Sequence, residues 1–206
     1  MGVERGRAWG ENGPLPDDGV VARSDAEARA VVTTARRANE QPPPIGLLAG
    51  DLCRTLGGTG DEERLHTPEA TRVTVDLGSV LVDGRLHWFV AHLIARKSWW
   101  RGRALGAMNA QFLDGWDVAP RAHPGDGLLD VLDVAAELSL MDRITARGRL
   151  PAGSHLPHPA IAYRRVGAIQ ADLAPPLRVW LDGEALPDLA HHLAIRVEPD
   201  ALRVVV

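Results

Sequence analysis

The sequence predicts a mainly β protein of α+β class: a two-sheet β-sandwich preceded by a truncated α/β segment. Three observations carry this. From Thr71 onward the apolar residues recur every second position, with Val73, Val75 and Leu77 alternating with polar neighbours. Short apolar runs then follow one another, punctuated by Gly, Pro and Asp, which is the pattern of a sandwich or related two-sheet body. Before residue 63 the pattern is instead strand, helix, strand, helix, too little for a complete α/β domain.

In chain order, residues 1–17 are polar and rich in Gly and Pro and read as a flexible leader. Val20-Val21-Ala22 is a short strand. Ser24-x-x-Glu27 is a capping box, and it opens a helix over about 25–39 with Ala28, Val31, Val32 and Ala35 along one face. Pro42-Pro43-Pro44 ends it. Residues 45–48 read as a second strand and 51–56 as a short helix stopped by Gly57-Gly58. These elements make up an α/β segment at 18–62, and the β-sandwich occupies 63–206. Within it, Val80-Leu81-Val82 leads into Asp83-Gly84, a two-residue hairpin signal, with a returning strand over 86–94. Further strands are expected at 127–134, 161–166, 168–173, 177–181, 192–198 and 202–206. One helix at about 139–149 interrupts them.

Composition narrows the function. A net charge of −4 and a pI near 6.0 give no electrostatic reason to expect nucleic acid or an anionic membrane as partner. Lys97 is the only lysine, so the arginines reflect compositional habit and receive no functional weight. Cys53 is alone, which excludes an internal disulfide and fits a reducing cytosol. The first residues lack the apolar core of a signal peptide, and no apolar run approaches the roughly 18 residues of a membrane span. A cytoplasmic protein is expected.

Several motifs stand in a telling order: Val75-Asp-Leu-Gly78, Asn109-Ala-Gln-Phe112, Val118-Ala-Pro120, Asp126-Gly-Leu-Leu-Asp130, Gly153-Ser-His-Leu-Pro-His-Pro159, Leu181-Asp-Gly-Glu184 and a closing Glu198-Pro-Asp-Ala-Leu-Arg-Val-Val205. In this order they resemble the diacylglycerol kinase-type lipid kinases, whose YegS-like members share a fold with NAD kinase and sphingosine kinase. The likeness covers most of 71–206 and implies that 63–206 is the family's β-sandwich accessory domain. It also implies that 18–62 is a remnant of the nucleotide domain, since the chain starts too late to supply that domain's first strand and helix.

The resemblance implies roles for named residues. Asp182, with Glu184, stands where the family places its general base, although the residues alone read Asp182-Gly183 as a hairpin turn. Asp126 with the His123 and Leu128 carbonyls stands where the family holds a structural Mg²⁺, although His-Pro-Gly-Asp-Gly is equally a tight turn. The family's Gly-Gly-Asp-Gly-Thr loop aligns with Arg23-Ser24-Asp25-Ala26-Glu27, in which Asp25 survives, Arg23, Ser24 and Ala26 replace the glycines and Glu27 replaces the threonine. The second phosphate loop keeps Asp51 but not the residues before it. ATP binding is therefore doubtful, and a rebuilt site would have to use Asp25, Asp51 and Arg54.

The expected function is a lipid-kinase-like protein with degenerate ATP loops, acting as a non-catalytic binding or regulatory module toward a lipid or lipid-like molecule. The alternative is an active ATP-dependent lipid kinase with Asp182 as general base. A third reading is an interaction protein whose truncated α/β segment docks on a partner or a second copy. His155 and His158 read as loop residues, with no acidic ligand near them. Trp99-Trp100, among Arg96, Lys97, Arg101 and Arg103, either packs at the sandwich edge or meets a lipid interface or a partner.

Overall fold

The computed structural model describes residues 9–156 and 158–206. Its strands are β1 (Glu11–Asn12), β2 (Val20–Ala22), β3 (Ile45–Leu47), β4 (Thr71–Val82), β5 (Arg85–Phe89), β6 (His92–Arg96), β7 (Ala104–Met108), β8 (Phe112–Leu113), β9 (Trp116–Asp117), β10 (Leu129–Val134), β11 (Ile161–Val166), β12 (Ala168–Leu181) and β13 (Glu184–Val205). The helices are α1 (Asp25–Arg37), α2 (Asp51–Thr55), α3 (Glu62–Leu65) and α4 (Leu140–Arg149). The protein is mainly β, as expected.

Eleven strands form one network whose main path runs β1-β4-β13-β12-β6-β7-β10-β11. The chain leaves β11, at one end of that path, and passes through Gly167 into β12 near its middle. Val197 of β13 donates to the Gly167 carbonyl (2.9 Å). Register shifts after Asp172, Arg178 and Glu198 bend the long strands. The sheet thus curls on itself around an apolar core that includes Phe89, Leu105, Leu129, Val179, Leu181 and Leu193. The stretches 168–173 and 177–181, expected as two strands, are one bulged strand, and so are 192–198 and 202–206.

The α/β segment continues this sheet. β2 pairs in parallel with β3, and β3 in parallel with the end of β13. Ala28 and Val32 of α1 share a core with Val73 and Val75 of β4 and Leu202 and Val204 of β13. The Ser24 hydroxyl accepts from the Glu27 amide (3.1 Å), and the Glu27 carboxylate accepts from the Arg23 amide (2.7 Å). The serine cap is present as read, while the glutamate reaches one residue past the N-cap, to the Arg23 amide.

Two readings are corrected. Residues 9–17, expected in the leader, are docked: β1 pairs with β4, Leu15 is buried, and its amide donates to the Leu65 carbonyl (2.6 Å). Residues 1–8 lie outside the described residues. The strand expected over 86–94 is broken between Phe89 and His92, for a reason that lies in the site.

Candidate functional site

Three tight turns in the chain have Asp-Gly with positive φ at both positions: Asp83-Gly84, Asp114-Gly115 and Asp182-Gly183. That is the conformation of type I′ hairpins, whose twist matches the flanking strands. Two of the three converge on one buried cluster. The Asp114 and Gly115 amides, at the β8–β9 turn, donate to the Asp51 carboxylate (2.8 and 3.1 Å). Asp182, at the β12–β13 turn, has no exposed side-chain surface. Its carboxylate accepts from the amides of Val90 (2.9 Å), Ala91 (2.8 Å) and His92 (3.0 Å). Those amides are turned away from the ladder, which is why β5 and β6 are separate strands.

Asp51, at the start of α2, also accepts from His92 Nε2 (3.1 Å). Asp25, at the start of α1, reaches across to α2, where its two oxygens accept from the amides of Asp51 (2.6 Å) and Leu52 (3.2 Å). Gly50 precedes these amides at φ +106°, and a Cβ there would strike the Asp25 carboxylate. From α1, Arg29 ion-pairs with Glu184 and brings its Nε within 3.7 Å of the Asp182 carboxylate.

The protonation states follow from this crowding. Burial, aided by the charge of Asp182, pushes Asp25 up to about 7. Burial likewise raises Asp182, against the opposing His92 charge and the three amides. Burial would also raise Asp51, but its hydrogen bonds from His92, Gly115 and Asp114 prevail and hold it low. Burial would lower His92, but the Asp51 hydrogen bond and the nearby carboxylates raise it. The result is a compact charge network.

Asp25, Asp51 and His92 have ligand atoms within 4.8 Å of one another and could surround a metal ion. Every oxygen of those two carboxylates already accepts a hydrogen bond, so the cluster is balanced without one. The other expected donors fit Mg²⁺ poorly as arranged. Asp126 accepts from the Leu128 amide (3.0 Å) and is ion-paired with Arg165, while the His123 carbonyl accepts from the Gly125 amide (2.8 Å). A cation would have to displace the Arg165 guanidinium. Nor do Asp25, Asp51 and Arg54 fit a triphosphate as arranged. Asp25 occupies the Asp51 and Leu52 amides, the Glu27 carboxylate takes the Arg23 amide, and Arg54 stacks over Phe112 (4.8 Å).

The structure therefore brings Asp25, Asp51, Asp182 and Glu184 into one neighbourhood and holds His123, Asp126 and Leu128 in a separate turn. The sequence reading missed His92 and Arg29. Arg29 carried a signal, lying one helical turn after Asp25; His92 carried none, since its partner is far away in sequence.

Beyond this cluster lies a chamber of about 330 Å³ between α4 and the face of β6, β7 and β10. Its wall is mostly apolar, with Trp99, Trp100, Trp116, Met108 and Leu132. Asp114 belongs both to this wall and, through its amide, to the cluster.

Residues 67–206 match the family described as the YegS C-terminal NAD kinase beta sandwich-like domain. The chain belongs to the YegS-like lipid kinase family. No curated protein matches its sequence. Among solved structures, the YegS-like chain is similar in fold to a diacylglycerol kinase from Bacillus anthracis (14% identity, 91% of this chain and 75% of that one, TM-score 0.62). Two structures of a Bacillus anthracis protein assigned as a diacylglycerol kinase give 12% identity, 91% and 77% coverage and a TM-score of 0.68. Among the described residues of this YegS-like protein, no helix is long and apolar enough to cross a membrane.

Proposed function

We propose that this YegS-like protein is a lipid-binding module that performs no ATP-dependent phosphoryl transfer by itself. The observation that carries the proposal is the seat of the Glu27 carboxylate, which stands at the family's threonine and accepts from the Arg23 amide of the loop (2.7 Å). A carboxylate at this phosphate-facing position takes a loop amide and would repel an incoming triphosphate. Family membership and the apolar chamber support the lipid: pockets for small molecules are mostly apolar and run from roughly 300 to 1,000 Å³. In this reading Asp182 is a structural clamp on the 90–92 amides, with both oxygens engaged by them and no exposed side-chain surface to meet a substrate.

Calorimetric titration with Mg-ATP, paired with uptake of a soluble acyl probe, tests this. Probe binding without nucleotide heat at two temperatures is expected. Saturable Mg-ATP binding followed by phosphorylation of a short-chain diacylglycerol would overturn it. Such a result would favour an active kinase, a reading supported by the retained Asp182-Gly183-Glu184 and the Arg29–Glu184 pair. Among the described residues β2 pairs only with β3, so its outer edge is where we place any partner strand or second copy. Light scattering that shows a monomer would remove the second copy.

A further inference from the structure

α4 is turned the wrong way for a helix that merely covers a core. Its only fully buried residue is Arg143, while Leu140, Met141 and Ile144 are 53%, 71% and 48% exposed. A surface helix ordinarily sends its apolar stripe inward. Here the inner side, with Ala146 and Arg147, lines the chamber, and the outer side is also apolar. Beside it, Trp99 and Trp100 are 41% and 45% exposed. Both are held under guanidinium groups: Arg96 stacks on Trp99 (4.3 Å) and Arg147 on Trp100 (5.3 Å). The patch and the chamber share Trp99, Trp100 and Arg147, so one apolar surface runs from outside to inside.

The charge around this patch is opposite to that of the chain. Residues 96–103 contain Arg96, Lys97, Arg101 and Arg103 and no acid, and α4 adds three arginines against Asp142, on a protein whose net charge is −4. Arg103 is paired with Asp133 and Arg143 is buried, but Lys97, Arg101, Arg147 and Arg149 are exposed. The overall charge gave no reason to expect an anionic surface as partner; the local charge gives one. Exposed Trp, Leu, Ile and Met rimmed by basic side chains match the boundary between acyl chains and anionic headgroups.

We propose that the Trp99-Trp100 loop and the outer face of α4 dock on an anionic lipid bilayer and set the mouth of the chamber against the acyl chains. The idea builds on the lipid-binding reading above. A bilayer is favoured over a protein partner because the apolar face continues into a chamber suited to an acyl chain and the basic rim matches anionic headgroups.

The test is flotation of the full chain with vesicles of phosphatidylcholine, alone or mixed with phosphatidylglycerol, at low and at high salt. Binding to the mixed vesicles is expected, weakened by salt. Lys97→Gln and Arg101→Gln should each lower the partition about fivefold, the equivalent of about 1 kcal/mol per basic residue at such a surface. Met141→Asp with Ile144→Asp should abolish it; these positions are exposed, and circular dichroism will show that the fold is kept. Absence of binding to mixed vesicles, or binding indifferent to all four changes, would overturn the proposal, as would capture of a protein by this face without vesicle binding. Ala146→Trp, which fills the chamber, should block uptake of the acyl probe in solution and leave flotation intact. If the wild type takes up the probe but does not float, the docking surface fails and the lipid-binding reading stands. If it floats but takes up no probe, the reverse holds.

Discussion

Asp182 offers the sharpest test of the clamp. Its carboxylate accepts three backbone amides at the break between β5 and β6: Val90 on one oxygen, Ala91 and His92 on the other. Asp182→Ala removes all three acceptors at a site with no solvent contact. Each amide left without a partner costs roughly 1–3 kcal/mol. Removing a buried charge whose ionisation burial already penalises offsets part of this. A net loss of about 3–6 kcal/mol is expected, a large share of the roughly 5–15 kcal/mol that holds a domain together. Asp182→Asn keeps an oxygen for Ala91 and His92 and sets an amino group against the Val90 amide, so it should cost only about 1–3 kcal/mol. Urea unfolding with linear extrapolation measures both. An alanine variant within about 1 kcal/mol of the wild type, or an asparagine variant that is the worse of the two, would refute the clamp.

Two further outcomes follow from the same contacts. Asp25 is raised from 3.8 to about 7, so the folded chain holds a proton there that the unfolded chain has released between those values. The stability it contributes is complete below about pH 4 and is lost as pH rises through about 7, a span worth roughly 4 kcal/mol in full. His92, also raised, loses its contribution above its usual 6.5, in the same direction. Thermal melts should therefore show Tm falling across this interval, with a shallower slope for Asp25→Asn; a Tm that climbs would contradict the assignment. Arg143 donates to the carbonyls of Leu138 (3.1 Å), Trp99 (3.4 Å), Gly102 (2.5 Å) and Ala135 (3.1 Å). Arg143→Met should cost about 2–4 kcal/mol and expose residues 99–102 to limited proteolysis; an unchanged digestion pattern would mean that the loop is held by other contacts.

What could be read from the sequence was local. The Ser24–Glu27 cap and the Asp83-Gly84 hairpin involve residues within four positions of each other, and both are present. β7 was missed because Ala104–Met108 is buried throughout and shows no alternation. The break after Phe89 could not be read either, because its cause, Asp182, lies about ninety residues away. In the site, Asp25, Asp51, Asp182 and Glu184 were found through the family pattern, whereas His92 is defined only by meeting Asp51 across the fold. The exposure of Trp99 and Trp100 was left open by the sequence, which shows the basic neighbours but not which side of α4 faces outward.

The Asp182 turn also bears on how such chains are recognised. A side chain that shapes a hairpin and holds a strand break stays indispensable to folding after any chemistry has gone. Selection for a folded molecule is then enough to keep the Asp-Gly-Glu tripeptide in place. On the proposed reading that tripeptide certifies architecture, and receipt of a phosphate turns on residues 23–27, where Arg23, Ser24, Ala26 and Glu27 stand in place of the family's glycines and threonine.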